Sequence, residues 1–262
     1  MGDGIYTALS GALAQQHSLD VIANNVANAT TTGFRGDKVV FGQLLAGAQR
    51  DEKVDPRQPA PPRTDHFVQV EANALDASSG VLKHTGNALD LAIQGDGYFV
   101  VRSAQGDRLT RAGNFMLREG GELATPEGYL VLGDNNAPIT FPQGVKDIEV
   151  SGDGTIRANV PNGTSRPNSV EVARLQLKSV TDPSKLTREG TTLYKAADDA
   201  TIITPLRAEI AQGHLEASNV NAVSALNDLI TVSRSFDALQ KVIDSFQQID
   251  QRTARDLGAR NG

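Results

Sequence analysis

Apolar residues near the C-terminus recur with strict four-three spacing: Ala225, Leu229, Val232, Phe236, Leu239, Ile243 and Phe246. Leu226, Ile230, Val242 and Ile249 widen the stripe. The spacing predicts a helix over about 220–257, roughly 55 Å long at 1.5 Å per residue. That exceeds an ordinary globular helix and points to a coiled coil or helical array. Asn219 or Asn221 supplies the N-cap. Arg252, Arg255 and Arg260 sit near the other end, where positive charge meets the negative pole of the helix dipole.

A second helix is expected at the N-terminus, beginning after Asp3. Ile5, Ala12, Leu19 and Val26 recur every seven residues, with Leu9, Gln16 and Ala23 interleaved. This heptad seam is thin, because several of its members are small or polar. Thr30, Thr31 and Thr32 disfavour helix, and Gly33 can take a left-handed conformation.

Between the helical ends the style changes. Residues 54–62, VDPRQPAPP, hold four prolines and favour extended polyproline-like geometry. Further on, short apolar runs such as Leu89–Ile93, Tyr98–Val101 and Tyr129–Leu132 alternate with glycine turns. Strands of about five residues between glycines indicate an antiparallel β region, and no βαβ rhythm is visible. The expected fold class is therefore α+β: long N- and C-terminal helices packed as a coiled-coil-like stalk, with a central antiparallel β-rich domain. The expected segments are 1–45 (N-terminal helix and assembly segment), 46–66 (Pro-rich connector), 67–214 (β-rich middle domain) and 215–262 (C-terminal helix, packing with the N-terminal one).

Ordering so long a helix costs backbone entropy that a half-buried seam offsets only narrowly. Both ends are therefore expected to fray in an isolated chain and to order on assembly.

Several function classes are disfavoured. The net charge is −6 with no basic block, so the footprint of a nucleic-acid binder is missing. With no cysteine, disulfides, thiolate metal sites and Cys nucleophiles are absent together. His17, His66, His84 and His214 lie far apart, and none has a partner at metal-ligand spacing. No GxSxG elbow occurs, and Gly95-Asp96-Gly97 reads as a β-turn rather than a phosphate loop. The expectation is no catalytic residue, cofactor or metal. The first sixteen residues carry no basic n-region or long apolar run, so they do not read as a secretory signal peptide. No stretch approaches a membrane span.

The run from Ser18 to Phe34, SLDVIANNVANATTTGF, resembles the N-terminal signature of flagellar axial proteins, the rod and hook subunits. Gly213–Asn221, GHLEASNVN, resembles their C-terminal signature. Gly86–Phe99 and Thr110–Phe115 resemble the middle domain of the larger rod proteins. The resemblance spans nearly the whole chain in order. With a middle domain present, it points to the long rod types: the F (proximal) type first, on Ile5–Ala12 and the lack of an extra segment after the first helix, and the G (distal) type second.

The resemblance implies a structural subunit that polymerises with copies of itself and with neighbouring rod proteins. It implies passage through the flagellar export apparatus without a cleaved signal, and a place in the periplasmic rod of the basal body. The residues expected to carry assembly are Ile5, Leu9, Ala12, Leu19, Ala23, Val26, Gly33, Phe34, Leu229, Val232, Phe236, Leu239, Ile243 and Phe246. Asn24, Asn25, Asn28, Asn219 and Asn221 join them as candidates for inter-subunit hydrogen bonds. The alternative from another class is a ligand-binding β module on a helical stalk, which would need an exposed aromatic platform.

Overall fold

Strand β5 (Tyr98–Ser103) organises the middle of the chain, because its alternating side chains are buried on both faces. Tyr98 and Val100 enter one core with Leu109, Leu132, Val180, Leu186 and Tyr194. Phe99 and Val101 enter the other with Phe115, Leu123, Val131, Ile139 and Ile156. A period of two sends successive residues to opposite faces, so a continuous apolar strand must be covered on both sides. Edge-to-face pairs anchor each side: Phe99 with Phe115 at 5.1 Å between centroids, and Tyr98 with Tyr194 at 5.7 Å.

In this computed structural model the described residues are 2–47, 64–145, 147–160, 168–205 and 207–260. Most of the proline-rich connector expected at 46–66 lies outside them. The chain is α+β, with helix α1 (Gly2–Ala27) at one end and α2 (Ala222–Arg260) at the other. In chain order the first strands are β1 (Asp37–Gly47), β2 (Thr64–Leu75), β3 (Leu82–His84), β4 (Leu91–Gln94), β5, β6 (Gly106–Thr110), β7 (Met116–Leu117), β8 (Leu123–Ala124) and β9 (Leu130–Val131). There follow β10 (Asp147–Val150), β11 (Thr155–Val160), β12 (Asn168–Arg174), β13 (Leu177–Val180), β14 (Leu186–Glu189), β15 (Leu193–Ala196), β16 (Ile202–Ile203), β17 (Glu209–Gln212) and β18 (His214–Glu216).

Two compact units share these elements. One comprises residues 1–26, 37–74 and 222–262, and the other 27–36 and 75–221. The second unit holds the β-rich region. Its largest sheet runs β14-β15-β6-β5-β9-β8-β7, with β13 joining β5 and β16. A three-stranded sheet β10-β11-β12 and the pairs β17-β4 and β18-β3 complete it, and the ladders of this unit are antiparallel.

The first unit contains both helices and the β1-β2 pair. On α2 the part-buried positions include Ala225, Leu229, Val232, Phe236, Leu239, Ile243 and Phe246, the four-three stripe read from the sequence. On α1 the buried line runs through Ala8, Ala12, Ala14, Ser18 and Val21. It shares only Ala12 with the heptad positions. Small residues on this face let α2 come close: a Cβ on Gly4 would lie 3.1 Å from the Phe246 ring, and one on Gly11 would lie 3.5 Å from Leu239. Asn25 closes the end of α1, donating to the Asp37 carbonyl at 2.8 Å and accepting from the Asp37 N–H at 3.0 Å.

Candidate functional site: the junction of the two chain ends

Each quoted signature sends residues to a single buried polar cluster in the β-rich unit. The segment after α1 delivers Gly33, Phe34 and Arg35, all buried. Gly33 adopts φ 68°, and a Cβ there would meet the Ala112 backbone N at 2.3 Å, so only glycine fits. Its N–H donates to the Glu216 carbonyl at 2.8 Å. The opposite end of the chain arrives as β18, paired to β3, and brings Glu216.

Glu216 is the centre. Its Oε1 accepts from Arg35 Nη2 at 3.1 Å and from the Gly80 N–H at 3.0 Å. Its Oε2 accepts from Arg111 Nη1 at 3.1 Å. Arg111 also donates to the carbonyls of Ile93 and Gly95, at 3.2 and 2.8 Å, and Arg35 donates to the Ala77 carbonyl. Both guanidiniums lie over the Tyr98 ring, at 5.8 Å for Arg35 and 5.2 Å for Arg111. Two cations thus share one carboxylate, and carbonyl dipoles and an aromatic face take up the excess positive charge. Burial pushes the Arg111 guanidinium below its usual value; the nearby Arg35 charge adds to this, and Glu216 opposes it. Burial likewise raises the Tyr98 hydroxyl, against the pull of the two arginines.

A second layer surrounds this cluster. Arg188 stacks on Phe34 at 4.5 Å and donates to the carbonyls of Arg35 and of Thr191. Asn219 accepts from the Gly36 N–H at 2.8 Å and donates to the carbonyls of Asp76 and Ser78, both at 3.0 Å. The structure therefore gathers Gly33, Phe34 and Asn219 around one point. Asn221 directly precedes α2, and Asn28 takes a hydrogen bond from Thr31 Oγ1 at 3.3 Å. Leu9, Ala23, Asn24 and Asn221 are exposed, while Ile5, Leu19, Asn25, Val26 and Asn28 are part-buried.

Arg35, Arg111 and Glu216 are absent from the residues picked out by sequence. The available signal was modest: each lies in or beside a signature stretch, and Glu216 is a lone acid within the run His214–Ala217.

The arrangement offers charge neutralisation and register. Tyr98, Phe99 and Phe115, which an aromatic ligand platform would need at the surface, are buried. A cleft of about 710 Å³ near β13 is lined by charges of both signs, including Asp134, Asp153, Arg174, Lys178, Arg207 and Glu209. Among the described residues no helix is long and apolar enough to cross a membrane.

Comparison with known proteins agrees with this convergence. Residues 5–35 match the family described as flagella basal body rod protein. Residues 92–158 match the flagellar hook protein FlgE/F/G D1 domain, and residues 211–256 the flagellar basal body rod FlgEFG protein C-terminal region. The flagellar basal-body rod protein FlgF of Rhizobium meliloti is 35% identical over 254 residues, 96% of each chain. FlgF of Salmonella typhimurium is 35% identical over 260 residues, 96% of this chain and 97% of its own. The rod protein FlgG of Caulobacter vibrioides is 33% identical over 262 residues, covering 95% and 97%. Three family matches in chain order, over two helical ends and a β-rich middle, mark a flagellar axial protein. The chain belongs to the flagellar basal-body rod protein family and is a structural rod subunit of the F type, with the G type close beside it.

Proposed function

We propose that α1 and α2 pack as a coiled-coil-like stalk and that this stalk polymerises the chain into the rod. Copies of itself and neighbouring rod proteins are the partners. The observation that carries this reading is apolar surface left over after the helices have packed. Val223, Leu226, Ile230, Val242 and Ile249 are exposed along α2, as are Tyr6, Leu9 and Leu13 on α1. A monomer gains nothing from showing such stripes to water, whereas a neighbouring helix would cover them. A contact between two different faces is heterologous and propagates as an open filament.

In this reading residues 1–45 and 215–262 form the assembly ends, 46–66 the connector, and 67–214 a β-rich domain facing outward. The exposed helical residues and the asparagines Asn24, Asn28 and Asn221 then meet neighbouring subunits. The chain passes through the flagellar export apparatus without a cleaved signal peptide and ends in the periplasmic part of the basal body. It works without catalysis or a cofactor. The family relationship and the exposed stripes support these steps.

The test is complementation of a strain lacking this chain. Leu226→Asp and Ile230→Asp, on the exposed stripe of α2, should abolish incorporation and motility while the purified variants keep a folded β-rich unit. A variant that unfolds entirely would mean the stripe serves an intramolecular core. Intact basal bodies in the deletion strain would remove the rod assignment.

A further inference from the structure

We propose that His84 and His214 form a two-imidazole site for a divalent transition-metal ion, with copper(II) the best fit. This inference is independent of the rod reading. The two residues are far apart in sequence but directly opposite in the β3-β18 ladder. Their pair is of the non-hydrogen-bonded kind. The ladder bonds fall on either side of it, from the Thr85 N–H to the Gly213 carbonyl at 2.8 Å and from the Ala217 N–H to the Val81 carbonyl at 2.9 Å. Side chains at such positions stand on one face and closer together than at hydrogen-bonded ones. The imidazole centroids are accordingly 4.9 Å apart, with planes inclined at 60°.

A second observation points to a ligand. His214 Nδ1 lies 2.9 Å from the Gln212 carbonyl. A carbonyl only accepts, so Nδ1 carries the proton, and in the neutral ring Nε2 is left with a free lone pair. Metal-binding histidines are typically held this way, with the other ring nitrogen donating to a carbonyl that fixes tautomer and orientation. His84 is exposed, and its ring borders Gly86 and Gly213. A Cβ on Gly86 would first meet His84 Nε2, at 3.9 Å, so no side chain from that position shields the nitrogen.

Among the described residues no group of three or more His, Cys, Asp or Glu is placed to hold a metal. The site therefore offers two nitrogens, with water for the remaining positions. That donor set suits tetragonal copper(II) better than zinc, and copper(II) stands highest in the divalent affinity order. The ion would clip β3 to β18, the ladder that carries Glu216.

Copper(II) chloride titrated into the full chain tests this, by calorimetry and electron paramagnetic resonance. We expect one ion per chain, an equatorial pattern from two nitrogens, and a thermal midpoint that rises with copper. His84→Ala and His214→Gln should each weaken binding roughly tenfold or more, whereas His17→Gln should leave it unchanged. Both altered residues are on the surface or part-buried, so circular dichroism should report an intact fold in each. Absence of saturable binding, or affinity that survives either substitution, overturns the proposal.

Discussion

Arg35 Nη2 and Glu216 Oε1 lie 3.1 Å apart with both side chains 2% exposed, joining residues from opposite ends of the chain. The same carboxylate holds Arg111, so a single buried acid ties three separated segments together. Such a pair need not add net stability over an apolar replacement, but it penalises any arrangement that leaves a member unmatched.

Glu216→Ala is therefore expected to cost about 3–5 kcal/mol, because two buried guanidiniums lose their counter-charge. Urea denaturation of the full chain checks this. Removing Glu216 together with Arg35 should cost less than the sum of the single changes, since the pair is coupled.

Gly113 sits where the backbones of the Thr110–Phe115 and Leu91 segments meet, accepting a 2.9 Å bond from the Leu91 N–H. A Cβ there would fall 1.7 Å from the Leu91 carbonyl oxygen. Gly113→Ala should destabilise by roughly 1–3 kcal/mol through overpacking. Gly120→Ala is the control, since its Cβ would meet nothing nearer than 3.9 Å. Paired thermal melts read the difference.

Acid should weaken the β-rich unit in a defined direction. Glu189 is held below the usual carboxylate range, first by its hydrogen bond from Arg108 at 2.6 Å, and Asp199 likewise by Lys185 at 2.6 Å. A carboxylate lowered on folding stabilises fully above its unfolded pKa, and that contribution disappears as pH falls through the folded value. The denaturation midpoint should hold steady near neutrality and decline below about pH 4.3. Combining Glu189→Gln with Asp199→Asn should make that acid limb shallower.

The helical ends should gain order on assembly. Even the seam of α2 is only half buried within one chain. Circular dichroism should therefore show more helix per residue in polymer than in monomer, and equal helicity would count against this. Gly11→Leu should remove part of the monomer's helix signal, because the bulkier side chain collides with Leu239.

Legibility followed the range of the interactions. The α2 stripe was plain because one periodic face of one helix states its own burial, and Tyr98–Val101 was plain because a strand apolar at every position needs cover on both faces. On α1 the heptad positions and the buried line differ. Large residues drew the sequence reading to Leu9, while Gly4 and Gly11 let α2 approach along the small-residue face. Strand β1 gave no strong local signal; most of it lies within the 1–45 segment read as helix and assembly region, and its last two residues fall in the expected connector.

Order along the chain, local periodicity and four signature stretches were enough to establish an α+β rod protein with helical ends. Each of these is a property of neighbouring residues, and short-range geometry alone makes it visible. Only the tertiary structure could bring Arg35, Arg111 and Glu216 into one charge cluster, or set His84 against His214. Such contacts arise when distant strands pair, and no local pattern records which buried charge finds which partner.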